Sequence, residues 1–171
     1  MAKYERLQDE ELLVRYAPAL RRLARSYTRD PYRGDDLFQD IVLEIWKAMP
    51  RFRGDCSERT WVYRIAHNTA LSYLTSERKR QEREHNETCR SEPSARATQE
   101  QNVLHRERQQ ILWRTVSELP LAERQLVTLY LEGLSLPEIE QVTGLRQGNI
   151  ATRLSRIRQK LAAYLREKEV R

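Results

Sequence analysis

The chain has 171 residues, 33% of them charged and 39% hydrophobic, and a net charge of +6. That length holds one ordinary domain or two small ones, and 5 Gly and 6 Pro in so charged a chain suit a modest helical core. No apolar run approaches the ~18 residues of a membrane span, and Met1 to Leu13 alternates charge and leucine without the apolar stretch of a signal peptide, so a cytoplasmic protein without membrane insertion is expected.

The first segment reads as three helices. Leu12, Tyr16, Leu20, Leu23 and Tyr27 recur at steps of four and three, which sets them on one helix face. Asp30, Pro31 and Gly34 interrupt that pattern. The next helix carries Leu37, Phe38, Ile41, Val42, Ile45 and Met49, with Asp35 and Asp36 expected at its N-terminus and Pro50 at its end. After a polar loop, Ser57 is placed to cap a third helix. That helix carries Trp61, Val62, Ile65, Ala66, Thr69 and Leu74 and closes in the charged run Glu77 to Arg83.

Residues 85–106 are almost devoid of apolar side chains and cannot bury enough surface to offset ordering entropy. They read as a flexible linker between an N-terminal domain, 1–84, and a C-terminal domain, 107–171. Periodicity resumes with Ile111, Thr115, Val116 and Leu119, stopped by Pro120. A helix from Leu121 carries Leu126, Val127 and Tyr130 and ends at Gly133. A short helix, Leu136 to Val142, and a turn at Gly144 lead to a long helix from Gln147, striped with Ile150, Leu154, Ile157, Leu161 and Leu165. The expected fold class is all-α: two small helical domains joined by a tether.

The last helix pair has the form of a helix-turn-helix. Ile139, Val142, Leu145, Ile150 and Leu154 supply a shared core, and Gly144 suits a turn needing positive φ. The opposite face of the second helix presents Asn149, Thr152, Arg153, Ser155, Arg156, Arg158 and Lys160, with Gln147 at its start. Arg146 to Arg171 is predominantly basic. Such a helix enters a major groove with its first residues at base edges, where Arg reads guanine and Asn or Gln reads adenine, while later cations hold phosphates. The plain alternative is a surface helix with a solvated basic face. No metal is expected, since Cys56, Cys89, His67, His85 and His105 are scattered, and both cysteines read as free thiols.

Several stretches resemble the extracytoplasmic-function (ECF) sigma factors of the sigma-70 family. Leu119-Pro120-Leu121-Ala122-Glu123-Arg124, Leu131-Glu132-Gly133-Leu134-Ser135, Glu138-Ile139, Gly144-Leu145 and Thr152-Arg153-Leu154-Ser155-Arg156 are similar to region 4 of that family. Asp35-Asp36-Leu37-Phe38-Gln39-Asp40 with Trp46, then Arg51-Phe52-Arg53-Gly54-Asp55 and Thr60-Trp61-Val62-Tyr63-Arg64-Ile65-Ala66-His67-Asn68, resemble region 2. The resemblance implies a factor that directs core RNA polymerase to chosen promoters in response to an envelope or stress signal. It implies as partners the clamp helices of the largest subunit, the flap, promoter DNA and an anti-sigma factor. By position it assigns Asp36, Gln39, Asp40, Glu44 and Trp46 to the clamp. Arg53, Asp55, Ser57, Trp61, Tyr63, Asn68 and Ser72 fall to the −10 strand, with Arg78, Lys79, Arg80 and Arg83 along its backbone. Core packing is the competing role for Trp61 and Tyr63, and dipole stabilisation for Asp35, Asp36 and Asp40. The helix-turn-helix face, Gln147 to Lys160, falls to the −35 duplex.

Two positions depart from the family pattern. Glu140 stands four residues before the turn glycine, where a small residue is usual, so it must tilt outward or loosen the helix pair. Ala151 stands where Lys or Arg is often found, which removes a contact. A stand-alone helix-turn-helix regulator is the main rival, and the acidic-aromatic helix ending in Trp46 speaks against it. No catalytic residues and no cofactor are expected: the chain has no glycine-rich phosphate loop, no paired nucleophile and base, and no ligand cluster.

Overall fold

The computed structural model describes residues 2–28, 30–84 and 115–169, and every regular element in them is helical. The expected linker, 85–106, lies outside the described residues. Helix α1 spans Ala2–Tyr27, α2 Pro31–Ala48, α3 Glu58–Glu84, α4 Leu121–Leu131, α5 Leu136–Thr143 and α6 Gln147–Glu169.

The stripe on α1 packs as its spacing predicts: Leu20, Leu23, Ala24 and Tyr27 are buried, and Leu12 and Tyr16 border them. Helix α2 begins a turn earlier than the sequence suggests. Pro31 is its first residue, and Asp30 caps it by accepting the Tyr32 N–H at 2.9 Å. Gly34 is therefore no breaker. It lies inside α2 where α1 crosses, and a Cβ there would stand 3.0 Å from Arg25 Cγ and 3.1 Å from Thr28 Oγ1. Nor do Asp35 and Asp36 occupy the helix start, because the first turn carries no acidic residue. Asp35 instead joins the two helices through Arg21 at 2.9 Å and Arg25 at 3.6 Å. Leu37, Ile41 and Ile45 are fully buried, and a 3-10 turn, Met49–Arg51, carries Pro50.

Ser57 caps α3 by accepting the Thr60 N–H at 3.1 Å. The inward face of α3 is Val62, Tyr63, Ala66 and Ala70. His67 is also buried, hydrogen-bonded to the Tyr27 hydroxyl across the α1–α3 contact. Helices α1, α2 and α3 thus share one core.

In the C-terminal domain, Val116 and Leu119 pack beneath α4, whose Leu126, Val127 and Leu129 face inward. The sequence puts Tyr130 on that inner stripe. The structure turns it out, and Leu129 takes the core. Glu138 accepts both the N–H and the hydroxyl of Ser135, at 2.8 and 2.7 Å, and so organises the start of α5. Gly144, at φ +73, ends α5 in the left-handed conformation that any Cβ disfavours. Ile150, Leu154, Ile157 and Leu161 line the inner side of α6. The two domains touch: α1 packs on α4, and α3 on α5.

Candidate polymerase and nucleic-acid interfaces

The outer face of α2 follows from its inner one. Burying Leu37, Ile41 and Ile45 at steps of four turns Asp36, Asp40 and Glu44 to solvent, beside Gln39. Leu43 and Trp46 are exposed there too, at 46% and 58%. A solvent-facing Trp among carboxylates suits a protein partner with cationic and apolar ground. Glu44 holds Lys47 at 2.8 Å.

The residues expected along the −10 strand divide into two sets. Arg53, Asp55 and Ser57 in the loop, Asn68 and Ser72 one turn apart on α3, and Arg78, Lys79 and Arg80 beyond them are exposed. Trp61 and Tyr63 are not displayed. Trp61 packs against Phe52 with ring centroids 5.0 Å apart, and Tyr63 meets Tyr16 edge-on at 6.3 Å. Both belong to the core, the role that packing predicts for bulky residues beside Val62. The half-open aromatic on this loop is Phe52, 36% exposed, which sequence reasoning leaves out of the site. Its signal is its place in a polar loop between two arginines.

On α6 the outer face carries Gln147, Asn149, Thr152, Ser155, Arg156, Arg158 and Lys160, all exposed, with Arg153 half-buried. Their hydrogen bonds separate them by task. The Arg153 Nε–H donates to Asn149 Oδ1 at 2.8 Å, which fixes the plane of the guanidinium. Thr152 donates back to the Gly148 carbonyl at 2.8 Å. Gln147 Nε2 donates to Glu140 at 2.6 Å, so Glu140 tilts outward and orients the first side chain of the reading helix. Arg158 lies 5.2 Å over the Tyr130 ring, and Lys160 donates to both Glu123 oxygens at 2.8 and 2.9 Å. These last two lean on α4, while Asn149, Thr152 and Arg153 form the forward end.

A further set of polar residues lies between the domains, unanticipated by the sequence. Glu132 accepts from Arg22 Nε at 2.6 Å, from Arg22 Nη2 at 2.8 Å and from the Tyr63 hydroxyl at 3.5 Å. Burial raises the pKa of Tyr63, and the Glu132 carboxylate adds to it, so the hydroxyl stays protonated as a donor. Glu138 receives Arg59 Nη2 on both oxygens, at 3.2 and 3.1 Å. Burial opposes its charge, but the Ser135 donors and Arg59 outweigh burial and bring the carboxyl down to about 2.

Among the described residues no three His, Cys, Asp or Glu side chains are grouped to hold a metal ion, and no helix is long and apolar enough to cross a membrane.

Residues 12–80 match the Sigma-70 region 2 family and residues 109–161 the Sigma-70 region 4 family. The chain is 33% identical over 158 residues to the ECF RNA polymerase sigma-E factor of Escherichia coli, covering 86% of this chain and 81% of that one. The chain belongs to the ECF sigma factors. The sigma-E factor of Haemophilus influenzae is 30% identical over 151 residues, covering 81% and 78% of the two chains. Two solved structures share the fold. One is the sigma factor RpoE in complex with the anti-sigma factor NepR from Bartonella quintana, with a TM-score of 0.71 and 23% identity over 92% of this chain and 96% of that one. The other is CnrH in complex with the cytosolic domain of CnrY, with a TM-score of 0.63 and 24% identity over 93% and 88%. Region 2 accordingly contains α2 and most of α3, and region 4 the α5–α6 helix-turn-helix.

Proposed function

We propose that this sigma factor brings core RNA polymerase to a defined set of promoters under an envelope or stress signal. The observation that carries this reading is the pairing of an exposed acidic-aromatic face on α2 with a helix-turn-helix whose forward end holds Asn149 and Arg153. A stand-alone regulator has no use for the first surface. In this reading Asp36, Gln39, Asp40, Glu44 and Trp46 meet the polymerase clamp. The Arg53–Ser57 loop, Asn68 and Ser72 receive the −10 strand, with Arg78, Lys79 and Arg80 along its phosphates. Gln147, Asn149, Thr152 and Arg153 face base edges of the −35 duplex, and Ser155, Arg156 and Arg158 its backbone.

An anti-sigma factor is the third partner in this proposal, supported by two structural relatives that were solved with NepR and CnrY. The test is transcription in vitro from a promoter library by core polymerase with and without the purified chain. Selective initiation that needs both supports the reading. DNA protection by the chain alone, with core adding nothing, supports the regulator instead.

A further inference from the structure

The two departures from the family pattern, Glu140 and Ala151, flank one residue of the reading helix. Glu140 lies in the last turn of α5, half-buried beside the fully buried Ile139, and its backbone carbonyl accepts the Gly144 N–H at 2.8 Å. Gln147 opens α6. It stands one turn before the buried Ile150, so it prolongs the inner stripe of α6 to the point where that helix leaves the core. There its side chain is exposed and turns to α5, and Nε2 donates to Glu140 Oε2 at 2.6 Å. Ala151, one turn further along, is exposed and brings no cation to draw Glu140 away.

Chemistry fixes which way round this amide lies. A carboxylate has only acceptors, so it holds a glutamine by its NH2 end. The Gln147 carbonyl oxygen is then the leading end, with the second N–H beside it. Asn149 has the reverse polarity. Its Oδ1 is taken by the Arg153 Nε–H at 2.8 Å, and arginine has only donors, so the helix offers the Asn149 NH2 group and the remaining Arg153 N–H groups. The forward end of α6 thus carries an acceptor at Gln147 and donors at Asn149 and Arg153.

Base edges answer these polarities differently. In the major groove adenine and cytosine present an exocyclic amine, whereas guanine and thymine present carbonyl oxygens. A glutamine that leads with its oxygen pairs with an amine, and on adenine its second N–H also reaches N7. Against guanine or thymine it sets oxygen against oxygen. Without Glu140 the amide is free to turn over, and its NH2 end then suits those bases as well.

We propose that Glu140 is a positioning residue for sequence choice: by holding the NH2 end of Gln147 it makes that side chain select an amine-bearing base, adenine before cytosine, in the −35 element. The selection rests on region 4 reading that duplex, as proposed above.

The test is selection of −35 duplexes, randomised at each position, by holoenzyme assembled from core polymerase and the full chain. In wild type one position should favour adenine or cytosine over guanine, and Gln147→Ala should flatten that position alone. Glu140→Ala and Glu140→Gln should each lower the amine-to-guanine ratio there by about 5-fold, the lower end of what one base contact discriminates. The preference that Arg153→Ala relaxes should persist in both, which shows the reading helix still seated. On a Gln147→Ala background, Glu140→Ala should change no base preference, because loss of a charge near phosphates acts on all sequences alike. A guanine or thymine preference at the Gln147 position, no position that answers to Gln147→Ala, or an unchanged ratio in Glu140→Ala overturns the positioning role and leaves the promoter reading intact. So does a change of preference by Glu140→Ala that persists without Gln147. A holoenzyme indifferent to every −35 base removes the proposed function and this role with it.

Discussion

Arg22 and Glu132 stand 110 residues apart in the chain, yet the guanidinium of one meets the carboxylate of the other through two hydrogen bonds of 2.6 and 2.8 Å. The pair is asymmetric: Arg22 keeps 42% of its side chain exposed, whereas Glu132 keeps 8%. Removing the arginine strands a buried charge, and removing both charges does not. Arg22→Ala should therefore weaken the domain contact by about 1–3 kcal/mol, the cost of one buried group left unsatisfied. Arg22→Met with Glu132→Leu should weaken it by less. Urea unfolding of the full chain, followed by circular dichroism, compares them. A double variant less stable than Arg22→Ala would show that the charges do more than compensate each other.

Trp46 offers a test of the polymerase face. Its ring is 58% exposed and belongs to no core cluster, so Trp46→Ala should leave the melting temperature within a degree or two of wild type. Core association should fall by about 2 kcal/mol, roughly 30-fold, as for an aromatic anchor. Titration of labelled sigma factor with core polymerase reads it directly. Unaltered affinity would remove Trp46 from the interface.

For DNA reading, Arg153 and Arg158 should behave differently. Arg153 is aimed by Asn149, and Arg153→Ala should cost about 1–3 kcal/mol on the preferred −35 sequence and relax the preference there. Arg158→Ala should weaken binding of the holoenzyme to all −35 sequences alike. Because Arg158 also covers the Tyr130 ring, a small loss of thermal stability should accompany it. Glu140→Ala frees Gln147 and removes a negative charge near the phosphates. It should raise affinity for scrambled DNA and lower the ratio of preferred to scrambled binding by a few-fold. A ratio left unchanged would mean that Gln147 needs no positioning.

Strand opening is assigned to the other domain. Asn68 is exposed on α3, and Asn68→Ala should spare duplex binding and reduce permanganate reactivity of thymines in the −10 region. Normal opening by Asn68→Ala together with defective opening by Arg153→Ala would reverse the division of labour.

His67 makes region 2 sensitive to acid. Burial lowers its pKa below the ordinary 6.5. The unfolded chain thus takes up the proton first as pH falls, and protonation favours unfolding. Stability contributed by neutral His67 is complete above about pH 6.5 and declines below it, by up to about 1.4 kcal/mol per pH unit, until the folded-state pKa is reached. Denaturant midpoints between pH 7 and 5 should follow that slope in wild type. They should follow a shallower one in His67→Gln, which keeps a hydrogen-bond partner for the Tyr27 hydroxyl.

Much of this protein was legible in its sequence, for a local reason. A helix depends on neighbours three and four residues away, and the stripes Leu20–Leu23–Tyr27 and Ile150–Leu154–Ile157 announced their buried faces at that range. The Ser57 and Gly144 caps are likewise settled within a turn of chain. Once one face of α2 or α6 is buried, geometry turns the acidic and basic residues outward, and the region 2 and region 4 motifs supply the family. Tertiary structure alone decided the rest. Gly34 looks like a breaker until α1 is seen to cross within a Cβ's reach of it. The family resemblance gives Trp61 and Tyr63 to the −10 strand while packing gives them to the core, and the structure buries both, against Phe52 and Tyr16. The stripe read for α4 includes Tyr130, and the structure buries Leu129 instead and leaves Tyr130 exposed beside Arg158 of α6. The seating of region 4 on region 2 depends on Arg22 finding Glu132 and Arg59 finding Glu138, pairs at separations of 110 and 79 residues. No periodicity carries information over such distances; complementary charge and shape do, and they exist only once both domains have folded.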